Sequence, residues 1–407
     1  MEVVVPTLAI LIASFGYLNL GLLRTGLVGT LALAVWIGLL ENLRLGREIG
    51  LDRRRLMPVI AVWAFYATFM LLAILVNSPT VKEDILVYLP GHLLFLYFVT
   101  APRVRSDWII GGMVLLGVSQ GALALMQYFA TPVFDGVFAR FLGEASASNY
   151  HFVIGRLTGI WKDSVRMGVL LAVSYPFVLL WTRRKPSFVR YAAVTFIVVV
   201  ALVTFTRVAL LSLIVSTVLL FWNTRRVILT RALPALLTLV VLVIVLQALP
   251  LGRQFERLYS PVSYSSEYAT DLESYNRGRV LEALLPHVFD HPLFGIGVSY
   301  RTFLSGGFSS AHNSLMQSAL LFGIPATVAL LLILVRILDG IRRVLRRPHA
   351  DFALAALLSA LAVAIGGTTH GVAFDAPLNM MFLMMAGIGL GQAVTVLSDV
   401  QVSEGPS

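Results

Sequence analysis

Apolar stretches of about 20 residues recur along the whole chain, from TLAILIASFGYLNLGLL near its start to MMFLMMAGIGLG near its end, and they restrict the fold more than any other feature. Hydrocarbon offers a peptide group no hydrogen-bond partner, so a segment of this length and composition crosses a bilayer as a helix. Hydropathy puts about twelve spans near residues 3–22, 27–43, 56–76, 85–101, 108–130, 165–182, 190–205, 207–222, 233–250, 313–337, 352–368 and 378–397. The apolar stretch around TFTRVALL is too long for one span and is read as two helices with a tight turn at Arg207. With 58% hydrophobic and 13% charged residues, a soluble fold is excluded. The expected fold class is all-α and polytopic, a single transmembrane domain over residues 1–407. The first apolar run lacks a basic segment before it and a small-residue cleavage site after it, so it is read as a retained helix.

Charge orients this arrangement. With the N-terminus inside, the loops LRLGREIGLDRRR, APRVRSD, TRRKPSFVR, NTRRVILTR and VRILDGIRRVLRR are cytoplasmic and hold most of the 31 Lys and Arg. This bias accounts for the net charge of +10, so no basic patch is left over to suggest nucleic-acid binding. Both termini are then cytoplasmic, with residues 398–407 a polar tail. Two outer loops are long, about 131–164 and 251–311, the second lying between helices 9 and 10 and containing the helical stretch RGRVLEALLPHVFDHP. The chain has no cysteine, which removes disulfides, thiolate metal sites and thiol nucleophiles.

Several outer-face residues carry candidate chemistry. His312, in SSAHNSLMQSALLFGIPA, precedes a helix that begins near Asn313 or Ser314, either a suitable cap. An imidazole at that boundary takes up a proton near neutral pH, and the helix dipole favours its neutral form. Arg207 sits at a membrane boundary, where a charge needs a partner or a polar cavity. Arg277 and Arg279 open the helical stretch of the second long loop, and Arg156 and Lys162 lie in GRLTGIWKDS of the first. Guanidinium forks suit phosphate oxygens, although ion pairing and snorkelling remain the plainer roles for Arg279, Arg301 and Arg166. His287 and His291 are four apart beside Asp290, but Pro286 and Pro292 bracket them and no full ligand set follows, so no metal is expected. The GxG of FGIGVSY lacks a strand-turn-helix context and is read as a turn. His92 and His349 are read as structural, and His151, His370 and Asp375 receive no role.

In order along the chain, these segments resemble the motifs of the O-antigen ligase and polymerase superfamily. RLTGIWKDS is similar to its R-x-x-G-aromatic segment and TFTRVALLSLIV to its S/T-R helix start. NRGRVLEALLPHVFDHPLFGIG resembles its R…hP-hydrophobic-FG-hydrophobic-G stretch, and AHNSLMQSALLFGIPA its H-N-x-x-x-Q-x-x-x-x-x-G segment. Each motif is short; the shared order is the specific part. The resemblance implies a GT-C type glycosyltransferase of the bacterial inner membrane, with its active site facing the periplasm. The implied donor is a glycan on undecaprenyl pyrophosphate, and no metal, nucleotide sugar or other cofactor is required. Carried over by position, His312 is the catalytic histidine, and Arg207 and Arg277 contact the pyrophosphate. Arg156 and Lys162 are further phosphate candidates, with Asn313 and Arg279 in support. Where the family often has Asn after its R-x-x-G-aromatic segment, this chain has Val165, which leaves the roles of Arg156 and Lys162 open.

Three functions are weighed. An O-antigen ligase passes the glycan to lipid A-core; a polymerase of O-antigen or exopolysaccharide passes it to a second lipid-linked glycan. A transporter of such intermediates is expected to show internal repeats and a polar path at mid-membrane, neither of which is visible.

Overall fold

A computed structural model describes residues 1–14, 22–48, 56–77, 81–101, 104–142, 157–161, 163–183, 185–222, 277–297, 313–345, 347, 350–368 and 376–403. Every regular element among them is helical: α1 Val4–Ser14, α2 Leu22–Glu48, α3 Met57–Asn77, α4 Val81–Thr100, α5 Ser106–Phe129, α6 Thr131–Leu142, α7 Ser164–Thr182, α8 Ser187–Val203, α9 Arg207–Leu220, α10 Arg277–Asp290, α11 Ser314–Val344, α12 Asp351–Gly367 and α13 Ala376–Ser403. Within six of these, the segments Leu27–Leu45, Met57–Asn77, Ser106–Phe129, Ser164–Thr182, Ser314–Val344 and Pro377–Thr395 are long and apolar enough to cross a membrane; five further apolar helices are shorter. The span expected at 233–250 lies outside the described residues. At TFTR the chain does divide, α8 ending at Val203 and α9 starting at Arg207. The described part of the first long loop contains α6 and the 3₁₀ turn Gly159–Trp161, and the helix expected in the second is α10.

The chain forms two compact units. The first comprises Met1–Ala13, Gly21–Ile109 and Asp271–Ser407, and the second Ser14–Leu20 and Ile110–Thr270.

In the first unit α13 packs between α4 and α12, and α11 lies against α3, α12 and α13. Glycine permits the closest of these approaches: a Cβ on Gly387 of α13 would meet the Phe95 carbonyl oxygen of α4 at 2.7 Å. The core is filled by Phe95, Phe98, Phe322 and Phe382, all essentially inaccessible. α2 is tied to α4 by the Asn42 side-chain amide, which donates to the Tyr97 carbonyl at 3.0 Å. Such a bond is favoured in an apolar interior because the amide has no water as an alternative.

α11 starts and breaks for identifiable reasons. Asn313 caps it, its side-chain oxygen accepting from the amides of Leu315 at 2.9 Å and Met316 at 3.1 Å. Arg342 and Arg343 in the last turn complement the negative end of the dipole. Between them Gly323 leaves the helical region, at φ 85° and ψ 175°, just ahead of Pro325. A regular helix would have the Ile324 amide donate to the Leu320 carbonyl. Here Ile324 donates to the carbonyl of Pro292 at 2.8 Å, and the Leu320 carbonyl accepts instead from Ile296 at 2.7 Å. One helical bond has been exchanged for two bonds to the segment that follows α10, so neither broken end is orphaned.

This seam admits no side chain at its glycines. A Cβ on Gly323 would overlap the Leu293 carbonyl, and one on Gly295 would lie 2.7 Å from the Leu321 carbonyl carbon. Both have positive φ, as does Gly297, whose Cβ would meet Asn77 of α3. Asn77 completes the joint by donating to the carbonyls of Phe294 at 3.1 Å and Gly295 at 3.0 Å. Leu284 and Val288 of α10 pack on Ala319 and Leu320 of α11, with Ile296 and Met316 beside them.

In the second unit α7 is the central helix, packed against α8 and α9 and almost wholly buried. Tyr175 of α7 and Thr217 of α9 share a hydrogen bond of 2.9 Å.

Gly323→Ala is expected to lower stability by at least about 2 kcal/mol, combining the left-handed penalty with backbone overlap. Gly111, mid-helix with nothing within 4 Å of an added Cβ, is the control: Gly111→Ala should leave the unfolding midpoint unchanged or raise it. Thermal unfolding in detergent, followed by intrinsic fluorescence, reads both.

Candidate functional site

In each compact unit, two of the four motif segments are brought together. In the second unit they are RLTGIWKDS and TFTR. The Leu157 amide donates to the Val203 carbonyl at 3.4 Å, and the Thr206 hydroxyl donates to the Ser164 carbonyl at 3.1 Å. Between α8 and α9 the chain reverses through Phe205, a buried residue at φ 51°. A non-glycine side chain held in that region marks a turn over-determined by its surroundings. Here those surroundings are the Thr204 and Thr206 hydroxyls, the former donating to the Ala201 carbonyl at 2.7 Å. The turn delivers Arg207 as the first residue of α9, with its side chain exposed.

The facing segment is held from α5. The Gln127 side-chain oxygen accepts from the amides of Thr158 at 3.1 Å and Gly159 at 2.8 Å, and its nitrogen donates to the Thr158 hydroxyl at 3.0 Å. Seven residues earlier, the Gln120 oxygen accepts from the Trp161 indole at 3.1 Å. Two helical turns separate these glutamines, which puts both on one face of α5. Asp163 then caps α7, accepting from the Val165 amide at 2.6 Å. Arg156 and Lys162, which bracket the clamped stretch in sequence, lie outside the described residues.

In the first unit the paired segments are PLFGIG and HNSLMQSALLFGIP, joined by the seam at Gly323. His312 itself lies outside the described residues, immediately before the cap. Asn313 is fully occupied: while its oxygen caps α11, its nitrogen donates to the Thr368 carbonyl at the end of α12, at 3.4 Å. Arg277 and Arg279 belong to the first turn of α10, and their side chains are outside the described part. His287 and His291 fall at the other end of α10; among the described residues no three His, Asp or Glu side chains gather as a metal site would require.

Sequence reasoning missed the residues that position these segments. Gln120 and Gln127 were signalled by their spacing of seven in an otherwise apolar span, where an amide side chain needs a partner. Asn77 carried a weaker signal, as the last residue of a span.

Apolar helices of spanning length, one of them broken and repaired by a re-entrant glycine segment, define a polytopic membrane protein whose motif segments are held by backbone contacts. Residues 192–331, from within α8 to within α11, match the family model described as O-antigen ligase. The match, over about a third of the chain, supports a relation to the O-antigen ligase and polymerase superfamily, a group of membrane glycosyltransferase-like enzymes. No curated protein matches the chain.

Gln127→Ala leaves two buried amides without an acceptor, at about 1–3 kcal/mol each. Hydrogen exchange over residues 157–161 is expected to accelerate at least about tenfold in that variant. Gln120→Ala, which removes one indole bond, should have a smaller effect; mass-spectrometric exchange on the purified protein makes the comparison.

Proposed function

We propose that the protein is an inverting, metal-independent glycosyltransferase that moves a glycan from undecaprenyl pyrophosphate to lipid A-core. The observation that carries this reading is the extent of the family match: residues 192–331 include Arg207, Arg277 and His312. Arg156 and Lys162 lie outside it and are assigned a secondary part in holding phosphate. In this reading the chain crosses the inner membrane twelve times with both termini in the cytoplasm, and the chemistry takes place at the periplasmic face.

His312 acts as general base. The acceptor hydroxyl attacks the anomeric carbon while its proton passes to the imidazole; the bond from that carbon to the pyrophosphate oxygen breaks, and undecaprenyl pyrophosphate leaves with the electron pair. One displacement inverts the anomeric centre, whereas a retaining route would pass through a covalent intermediate on a carboxylate. Arg207 and Arg277 bind the diphosphate and offset the charge that builds on the leaving oxygen, as a divalent cation would. The exposure of Arg207 at the head of α9 suits contact with a substrate. Asn313, committed to the α11 cap and to α12, holds the backbone next to His312 in place.

His312→Ala is expected to slow glycan transfer by roughly 10²- to 10⁴-fold while lipid-linked donor still binds. Full activity in that variant refutes the assignment. Arg207→Ala and Arg277→Ala should each cost about 2–4 kcal/mol of transition-state stabilisation. The acceptor is decided with purified protein and lipid-linked repeat units: transfer only when lipid A-core is added identifies a ligase, and chain growth without it identifies a polymerase.

A further inference from the structure

The apolar face of α10 is wider than the contact it makes. At 3.6 residues per turn, Leu284, Val288, Leu285 and Phe289 cover an arc of roughly 140°. Leu284 and Val288, on one half of it, are buried against α11. On the other half Leu285 is 42% exposed and Phe289 66%, and Leu293, just past the helix end, is 58% exposed. The opposite side carries exposed Ala283 and Asp290, while Glu282 borders the flank two turns from Phe289. A helix with this division has one apolar flank that the described residues leave uncovered.

The seam at Gly323 shows what that flank adjoins. Pro292, the neighbour of Leu293, bonds to the Ile324 amide, and Phe294 and Gly295 bond to Asn77. Ile324 and Val328 of α11 are exposed, and so is Val76 at the end of α3, on two helices long and apolar enough to span a bilayer. The uncovered side of α10 therefore continues the outward-facing apolar surface of two membrane-spanning helices at the level where α3 ends.

We infer that α10 is an interfacial helix, with Leu285, Phe289 and Leu293 inserted among the acyl chains of the adjoining leaflet and the side bearing Ala283 and Asp290 turned to water. Lipid is the occupant this geometry selects, because the flank adjoins exposed apolar side chains of two helices long and apolar enough to span a bilayer. The inference stands apart from the glycosyl transfer proposed above, and its test does not measure activity.

The chain contains no cysteine, so single-cysteine variants Phe289→Cys, Leu293→Cys, Ala283→Cys and Asp290→Cys each accept one nitroxide label. All four positions are exposed, so labelling removes few contacts. In liposomes of phosphatidylethanolamine and phosphatidylglycerol, power saturation with oxygen and with a water-soluble nickel chelate reports depth. Labels at 289 and 293 are expected to favour oxygen, about 5–10 Å below the headgroup boundary, and those at 283 and 290 to favour nickel. Equal nickel access at all four positions overturns the inference, placing the flank in water. Exclusion of both reagents at 289 and 293 also overturns it, since protein, whether a second copy or a partner, then covers the flank.

Discussion

The exchange of one helical hydrogen bond for two at Gly323 is the constraint on which the first unit depends. A break inside a membrane helix exposes an amide and a carbonyl to a medium that cannot solvate either. The chain meets this by folding the segment after α10 back onto the break, where Ile296 and Pro292 take the freed partners and Asn77 takes the carbonyls that remain. The bonds of Ile296 and Pro292 join main chain to main chain and the Asn77 side chain reaches two further carbonyls, so the backbones lie too close for a side chain at 295, 297 or 323, and α10, α3 and α11 are fixed to one another. The head of α11 is set by the same economy: Asn313 satisfies two first-turn amides and one carbonyl at the end of α12.

The second unit solves an equivalent problem with side chains. In its irregular stretch at 157–161 only Leu157 is described as bonding to a helix end, at Val203, and the buried amides of Thr158 and Gly159 are served by Gln127 of α5. The short connection between α8 and α9 leaves no room for a relaxed turn, and Phe205 takes up the left-handed conformation that the two flanking threonines hold in place. In both units the irregular backbone falls next to residues with candidate chemistry. That is consistent with the rule that non-helical backbone at membrane depth is tolerated where protein buries it or a cavity needs it.

Much of this was legible from periodicity and length alone. The division at TFTR follows from a run too long for one span, and the cap at Asn313 from residue type at the head of an apolar run. The helix at RGRVLEALLPHVFD is visible through its spaced leucines. The function of FGIG was not: tested against dinucleotide-binding loops it fails for want of a strand, and nothing local shows that its partner is a helix break some 30 residues on. Gln127 is similarly silent until the segment that it serves is known. Local sequence specifies elements and caps, whereas the seams between elements are set by groups far apart in the chain, and single-residue signals there reduce to an unexplained polar side chain or glycine.

Two kinds of residue are thereby mixed within the same short motifs. Gly295, Gly297 and Gly323 close a backbone seam, and Thr206 and Asn313 secure the segments next to Arg207 and His312; none of them needs to touch a substrate to be indispensable. In the proposed function, His312, Arg207 and Arg277 supply the charge and proton chemistry of glycosyl transfer from a pyrophosphate. Loss of activity on substitution cannot separate the two kinds, because a displaced seam misplaces the charged groups by an ångström or more and positioning alone is worth orders of magnitude in rate. Stability separates them. A seam glycine replaced by alanine loses both folding free energy and turnover, while a chemical group replaced at an exposed position loses turnover with the unfolding midpoint intact. By that criterion the part proposed for Arg207, exposed at the head of α9, is decided by comparing turnover with the unfolding midpoint in the same variant.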